Sequence, residues 1–475
     1  MPSICEPDSE NDRKNFDSPL RVRASGDTLA RAAMGTIQQP GTPATFDEAR
    51  TIRRLQVRIL PFILALYVIA FLDRINIGFA ALTMNRELAI TSQQFGLLAG
   101  IFFFGYFASE IPSNLMLHKL GARVWITRIL LSWGTVALLT GFVHSVNQVY
   151  VLRFLLGLAE GGYYPGIVLY LTYWFRQGEQ AQAIALVLTG LPFTSIVGGP
   201  LSGFILDHVH WFGVSNWRWL LILEALPALI GGVLTYMFLP NRPSEARFLS
   251  DEEKSWVTQE LEREERRKLD AGHVSALRAL ANGRIWHLAM MGFSLNIGTY
   301  TLSFWLPQLV RSYSGQYSNS VIGMMVMIPN LAGLIAMVAV SRSSDRNQER
   351  RYHLALSAGI AGSSLLALGL SHSVPLSLAL LCFACIGLYS YYGPLYALPS
   401  ESLTGYAAAS GIAVVSSVAN LGGFVGPFAS GLVSQKTGSL NSGLAVAGLS
   451  VFVSATMALL LPKSHVGVQR TESSV

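Results

Sequence analysis

Apolar residues in this chain come in long runs separated by short polar stretches, not in the short amphipathic patterns of a soluble protein. Runs of membrane-spanning length fall at roughly 57–82, 93–117, 124–143, 148–174, 180–206, 217–239, 285–311, 319–341, 353–371, 374–399, 407–433 and 443–462. Each is long enough to cross the ~30 Å hydrocarbon layer as a helix. A polar segment, 240–284, divides them six and six. The pattern predicts an all-α membrane protein with twelve transmembrane helices in two pseudo-symmetric six-helix bundles. The expected division is a tail (1–54), a first bundle (55–239), a central loop (240–284), a second bundle (285–462) and a short tail (463–475).

The two sets of six repeat each other. GLAEGGYYPG (157–166) in the fourth span is matched six spans later by GLYSYYGPLY (387–396), and GGPLSG (198–203) in the fifth by VGPFASG (425–431). Apolar helices broken by Gly and Pro at matching places in two halves point to a transporter with its site between the halves. In the central loop, Ser250 with Glu253 forms a capping box ahead of DEEKSWVTQELEREERRK, which predicts a surface helix. Residues 47–58 read as a basic amphipathic lead-in lying on the membrane surface, and 1–46 as a disordered polar tail.

Composition narrows this further. The chain is 51% hydrophobic and 13% charged, about half the charged share of a soluble protein. Its net charge of +6 is no nucleic-acid signal, because the basic residues cluster at alternate span ends. Arg50, Arg53, Arg54 and Arg58 precede the first span, Lys119 and Arg123 follow the second, and Arg342, Arg346, Arg350 and Arg351 follow the eighth. That asymmetry predicts both termini and the central loop in the cytoplasm. The C-x-x-C at Cys382 and Cys385 lies inside an apolar run and reads as packing. No cleavable signal peptide is expected, and no nucleotide-binding loop of the G-x-x-x-x-G-K-[ST] kind occurs.

Ionisable residues inside the spans are the most informative departure. A charge at mid-bilayer costs about 2.5–3.5 kcal/mol on insertion scales and is a functional signal by default. Asp73 and Arg74 are adjacent in the first span, so their side chains diverge by about 100°. Arg153 and Glu160 in the fourth are seven apart and return to nearly one face, with Gly157 between them. A buried ion pair that only fixes packing is the alternative, but an apolar pair of like volume is often as stable. A carboxyl group in an apolar cavity favours its neutral form, and a nearby arginine the charged form. An anion engaging Arg74 or Arg153 would therefore release Asp73 or Glu160 to take a proton. The second half offers uncharged groups instead, among them Asn296, Tyr300, Asn330, Tyr391, Tyr392 and Asn420. These are expected to select among anions, with Tyr391, Tyr392 and Asn420 as substrate contacts. Glu110, Glu224 and Glu401 read as acids near span ends, suited either to interfacial solvation or, for Glu110 and Glu401, to gating pairs with arginines.

Over roughly residues 50–465 the chain resembles the major facilitator superfamily, and within it the anion:cation symporter family of sugar-acid, tartrate, phthalate and hydroxyphenylacetate permeases. The likeness rests on LDRINIGFA (72–80), EIPSNLMLHKLGAR (110–123), RFLLGLAEGGYYPGIVLYLTYWF (153–175) and SDRNQERR (344–351). It implies alternating access, Asp73 and Glu160 as proton-coupling acids, and Arg74 as the anion-binding residue with Arg153 its partner. It also implies Tyr106 and Asn420 as substrate contacts. In the loop after the second span His118 stands where the superfamily usually has an Asp, whereas the related loop keeps Asp345–Arg346. Arg123, Asp345, Arg346 and Glu401 are the expected gating residues. The expected function is proton-coupled uptake of a small organic anion (a sugar acid, tartrate or an aromatic carboxylate) across the inner membrane, by a monomer without enzymatic activity, metal or cofactor other than the proton. An exporter of neutral or other small molecules on the same fold is the alternative.

Overall fold

The computed structural model describes residues 47–270, 282–315, 317–371, 373–402 and 405–461. Residues 1–46 of the expected first tail, the whole expected second tail (463–475) and 271–281 of the central loop lie outside them. Ala49–Val475 forms one compact unit; of the other, Met1–Glu48, only Asp47 and Glu48 are described. The described residues contain no β-strand.

The first half comprises α1 (Glu48–Glu87), α2 (Ser92–Leu120), α3 (Ala122–Thr140), α4 (Val146–Glu160), α5 (Tyr163–Thr172), α6 (Gln177–Leu188), α7 (Gly190–His208) and α8 (Asn216–Phe238). A surface helix, α9 (Asp251–Asp270), follows. The second half comprises α10 (Gly283–Ser314), α11 (Asn319–Asn347), α12 (Arg351–Ala367), α13 (Val374–Ser390), α14 (Tyr392–Ser402), α15 (Gly405–Thr437) and α16 (Leu440–Leu459). Taken as α4–α5, α6–α7 and α13–α14 pairs, these make twelve crossings. Ten are long and apolar enough to span a membrane by length and composition alone. Of the other two, α10 has its hydropathy lowered by Ser294, Asn296, Thr299, Tyr300, Thr301 and Ser303.

The helices break where glycine permits it. Between α4 and α5, Gly161 is extended and Gly162 is left-handed, with φ of 84°. Both lie against α2, where an added Cβ would collide with Ser109 and Ser113, so the break and the close approach need the same residues. The matching break in the second half falls at Tyr391.

The basic lead-in differs from expectation. Instead of forming a separate surface element, it is the start of α1, which runs unbroken for 40 residues. No helix breaker separates the lead-in from the span, and its polar face is occupied: Arg54 donates to both Glu253 carboxylate oxygens at 2.8 and 2.7 Å, and Thr51 to one at 3.4 Å. The capping box of α9 is present, with Ser250 N–H donating to Glu253 at 2.8 Å and Glu253 N–H to the Ser250 hydroxyl at 3.2 Å. Further along α9, Glu264 accepts from the Gln177 N–H at 3.2 Å, and Arg176 lies over the Trp256 ring.

The halves meet closely at the end of the molecule where α1 finishes and α2 begins. There α7 packs on α11, α2 on α15 and α1 on α10 through glycines. A Cβ on Gly199 would lie 2.8 Å from the Gly323 carbonyl oxygen, and one on Gly78 2.7 Å from that of Phe304. Gly96 is just as tight against Pro427 and Gly431, and Gly203 against Asn319. Polar contacts reinforce this closure. Asp207, ending α7, accepts from the Asn319 N–H (3.0 Å), the Asn319 amide (2.7 Å) and the Ser320 N–H (2.7 Å), and so caps the start of α11.

Candidate functional site

Asp73 and Arg74 sit deep in α1, 2% and 6% exposed. Their neighbouring positions send them to different partners. Asp73 turns into the first half, where it accepts from the Trp133 indole N–H at 2.7 Å and the Asn76 amide at 3.4 Å. Arg74 turns toward the boundary between halves. Its Nη2 pairs with Glu160 of α4, and its Nη1 donates to the Tyr300 hydroxyl of α10 at 3.2 Å. The guanidinium lies over three rings, Phe71 (4.7 Å), Phe102 (4.9 Å) and Tyr106 (5.2 Å). Arg74 therefore joins both halves at one point.

Glu160 is paired across helices, not with Arg153. Seven residues along a helix is about 10 Å of rise, too far for an ion pair on one face. Arg153 instead donates to the Arg74 backbone carbonyl at 3.4 Å and lies 5.5 Å from the Phe102 ring centroid. Arg153 and Arg74 thus share Phe102 and converge on one short segment of α1. Three buried polar atoms here have no partner: Arg74 Nε, Arg153 Nε and Glu160 Oε2. Two guanidinium donors and one carboxylate acceptor left unsatisfied in an apolar setting are costly. An anion with several oxygens is the kind of group that satisfies the donors.

The residues expected from the second half are arranged differently. Tyr391 donates to Asn296 at 2.9 Å, lies 3.4 Å from the Thr299 hydroxyl and stacks on Tyr392 with ring centroids 4.4 Å apart. Tyr389 donates to Asn330 at 2.8 Å. These tyrosines are buried, and Asn420 on α15 is half-buried. Tyr106 is buried beneath Arg74. The second half thus presents a neutral hydrogen-bonded network.

The expected gating residues are not gathered at one point. Arg123 holds the exit of α8, donating to the Leu239 carbonyl at 2.6 Å and pairing with Glu245 at 3.3 Å. Asp345 pairs with Arg350 at 2.6 Å, whereas Arg346 is exposed. The Glu401 side chain lies outside the described residues. Glu110 is buried within α2, not at an interface.

Sequence reasoning missed two members of the site, Tyr300 and Trp133, and the depth of one acid outside it, Glu224. Tyr300 looked like one polar aromatic among many, and its role depends on which residue faces Arg74. Trp133 gave a weak signal, an indole N–H deep in an apolar run that must find an acceptor. Glu224, expected near a span end, is 2% exposed and eight residues into α8; the apolar residues on both sides of it were the available sign.

The family model for the Major Facilitator Superfamily matches residues 63–427 and 314–474. The chain is 42% identical over 418 residues to a putative tartrate transporter of Agrobacterium vitis, covering 88% of this chain and 92% of that one. It is 35% identical over 397 residues to a quinolone resistance transporter of Acinetobacter baumannii, covering 84% and 91% respectively. Among solved structures, a partially occluded inward-open form of the xylose transporter XylE from E. coli superposes with a TM-score of 0.67 at 14% identity, covering 87% of this chain and 99% of the other; at that identity the likeness concerns the fold.

Proposed function

The chain belongs to the major facilitator superfamily and is a multi-pass inner-membrane transporter of small organic substrates; from that premise we propose that it is a proton-coupled importer of a small organic anion, with tartrate and related hydroxy acids as the first candidates. The proposed topology has both termini in the cytoplasm, by the distribution of basic loops. The proposed working form is a monomer with no resident cofactor, the proton being the coupling ion.

One observation carries the reading: Arg74 is held by Glu160 from the first half and Tyr300 from the second, with its Nε unpartnered. A carboxylate reaching Arg74 competes with Glu160 for the same guanidinium. Removing the partner of a buried charge costs about 3–5 kcal/mol, so Glu160, once displaced, is neutralised by a proton. Anion and proton are then bound together or not at all. Arg153, whose Nε is also free, supplies a second donor to the anion, and Asp73 is the second proton-coupling acid. The substrate bridges the halves where Arg74 and Tyr300 now meet, which ties loading to their relative position.

The test is uptake of radiolabelled tartrate by purified protein in liposomes, with a pH-sensitive dye inside. Accumulation should follow an inward proton gradient, collapse with a protonophore and acidify the lumen. Uptake indifferent to the gradient, with no lumen acidification, would exclude proton symport. The quinolone-resistance relative supports a second reading, export on the same fold. A quinolone moving against an opposing proton flux, with tartrate inert, would favour it.

A further inference from the structure

We propose that Glu224 is a further proton-carrying residue of the transport cycle, beyond Glu160 and Asp73, governed by the packing of α7 and not by contact with the substrate. This rests on the proton-coupled reading above.

Glu224 is directed away from the Arg74 site. Its Oε1 accepts from the Ser202 hydroxyl of α7 at 2.7 Å, and its Oε2 is buried without a partner. Asp73, the other buried acid on this side, accepts from the Asn76 amide at 3.4 Å. Among the described residues, no arginine, lysine or histidine forms an ion pair with either acid. The charged groups around them are accounted for. From α1 comes Asp73; Arg153 and Glu160 of α4 act on Asp73. From α3 comes Trp133, and from α7 the Ser202 hydroxyl. Arg218, on α8 itself, is bound to Glu87 and to the carbonyls of Gly141 and Val143. A carboxylate with one oxygen unpartnered and no cation in contact is costly in an apolar interior, and a proton on Glu224 relieves that cost.

The position of Ser202 links that proton to the conformational change. Ser202 lies between Gly199 and Gly203, whose backbones press on Gly323 and Asn319 of α11. At about 100° per residue it occupies the neighbouring face of the same helical turn. When the halves part at this end, α7 loses its seat on α11, and the hydroxyl that steadies Glu224 moves with it. Proton occupancy at Glu224 then depends on which end of the transporter is closed.

The experiment uses the full chain in liposomes, with tartrate as probe and the proton-to-tartrate ratio read from reversal potentials. Wild-type protein is measured first; if it moves no protons with tartrate, the coupling reading itself fails. Given coupling, Glu224→Gln should retain tartrate exchange and affinity but carry one proton fewer, lowering accumulation about tenfold per pH unit of gradient. Glu224→Asp should restore the ratio. An unchanged ratio in Glu224→Gln overturns the proposal, as does loss of exchange along with coupling, which marks Glu224 as structural. Should Glu224→Gln not be recovered folded, Ser202→Ala decides. Losing one hydrogen bond to a carboxyl should move the pH profile of net uptake by about one unit with exchange intact, and a profile superposing on wild type overturns it.

Discussion

The two halves are built on the same plan and equipped differently. Each breaks a helix at a Gly- and Pro-rich segment, α4–α5 at Gly161–Gly162 and α13–α14 at Tyr391. Beside the first break stand Glu160, Arg153 and, from α1, Arg74 and Asp73. Beside the second stand Tyr391, Asn296 and Thr299, all neutral. Buried charge is expensive and its removal more so, whereas a neutral network costs little to rearrange and rejects a misfitting ligand by leaving a group unpaired. The contrast fits the proposed division of tasks, with energy coupling in the first half and selection in the second.

The largest effects should come from the charged half. Glu160→Gln leaves Arg74 without its counter-charge, a change of about 3–5 kcal/mol for a buried pair. Both Glu160→Gln and Asp73→Asn should abolish pH-driven accumulation of tartrate in liposomes; full accumulation by either would end the assignment of coupling to this half. Next is Arg74→Lys, which keeps the charge but loses the planar fork. Affinity measured by isothermal calorimetry should fall roughly tenfold to a hundredfold, and an unchanged Kd would make Arg74 a structural residue.

Smaller effects should come from the neutral half. Asn420→Ala and Tyr391→Phe should each shift the order in which sugar acids and aromatic acids compete for uptake, by about 1–3 kcal/mol. Substrate-driven proton entry should persist for anions that still bind. Loss of coupling in either variant would blur the division between halves. The smallest effect lies outside the membrane, on α9. Burial pushes the Glu253 carboxyl up, but the Ser250 N–H and the Arg54 guanidinium outweigh it and hold it below the usual carboxylate range. A depressed carboxyl contributes stability above its unfolded-state value and loses it as pH falls through the folded one. Glu253→Gln should therefore lower Tm slightly at neutral pH, by about 1 kcal/mol or less for a partly exposed pair. The difference from wild type should vanish in acid below the carboxylate range, and a difference that persists there would show that the pair is not its source.

The fold was legible because spanning a bilayer imposes a length and an apolar composition that few other constraints mimic. The breaks at Gly161–Gly162 and at Tyr391 were legible as well, since glycine and proline mark such places directly. Pairing across helices was not. Position 160 fixes the depth of Glu160 but not whether its neighbour is Arg153 on its own helix or Arg74 on another; that follows from how α1 rotates against α4. The depth of Glu224 was hidden for a related reason. Its span opens with Asn216, Trp217 and Arg218, which read as a span end, and Arg218 is in fact satisfied by Glu87 and two carbonyls. The continuation of α1 into its basic lead-in likewise depended on a distant partner, Glu253.

The seating of α9 has a practical side. Its described contacts run to α1 through Arg54 and Thr51, and to the start of α6 through Gln177, all in the first half. A probe attached to the exposed face of α9 would thus be carried as a fiducial of that half. Paired with a second probe beside the exposed Arg346 at the end of α11, it would give a ruler for the rocking of one half against the other, with neither label placed in the membrane or at the site.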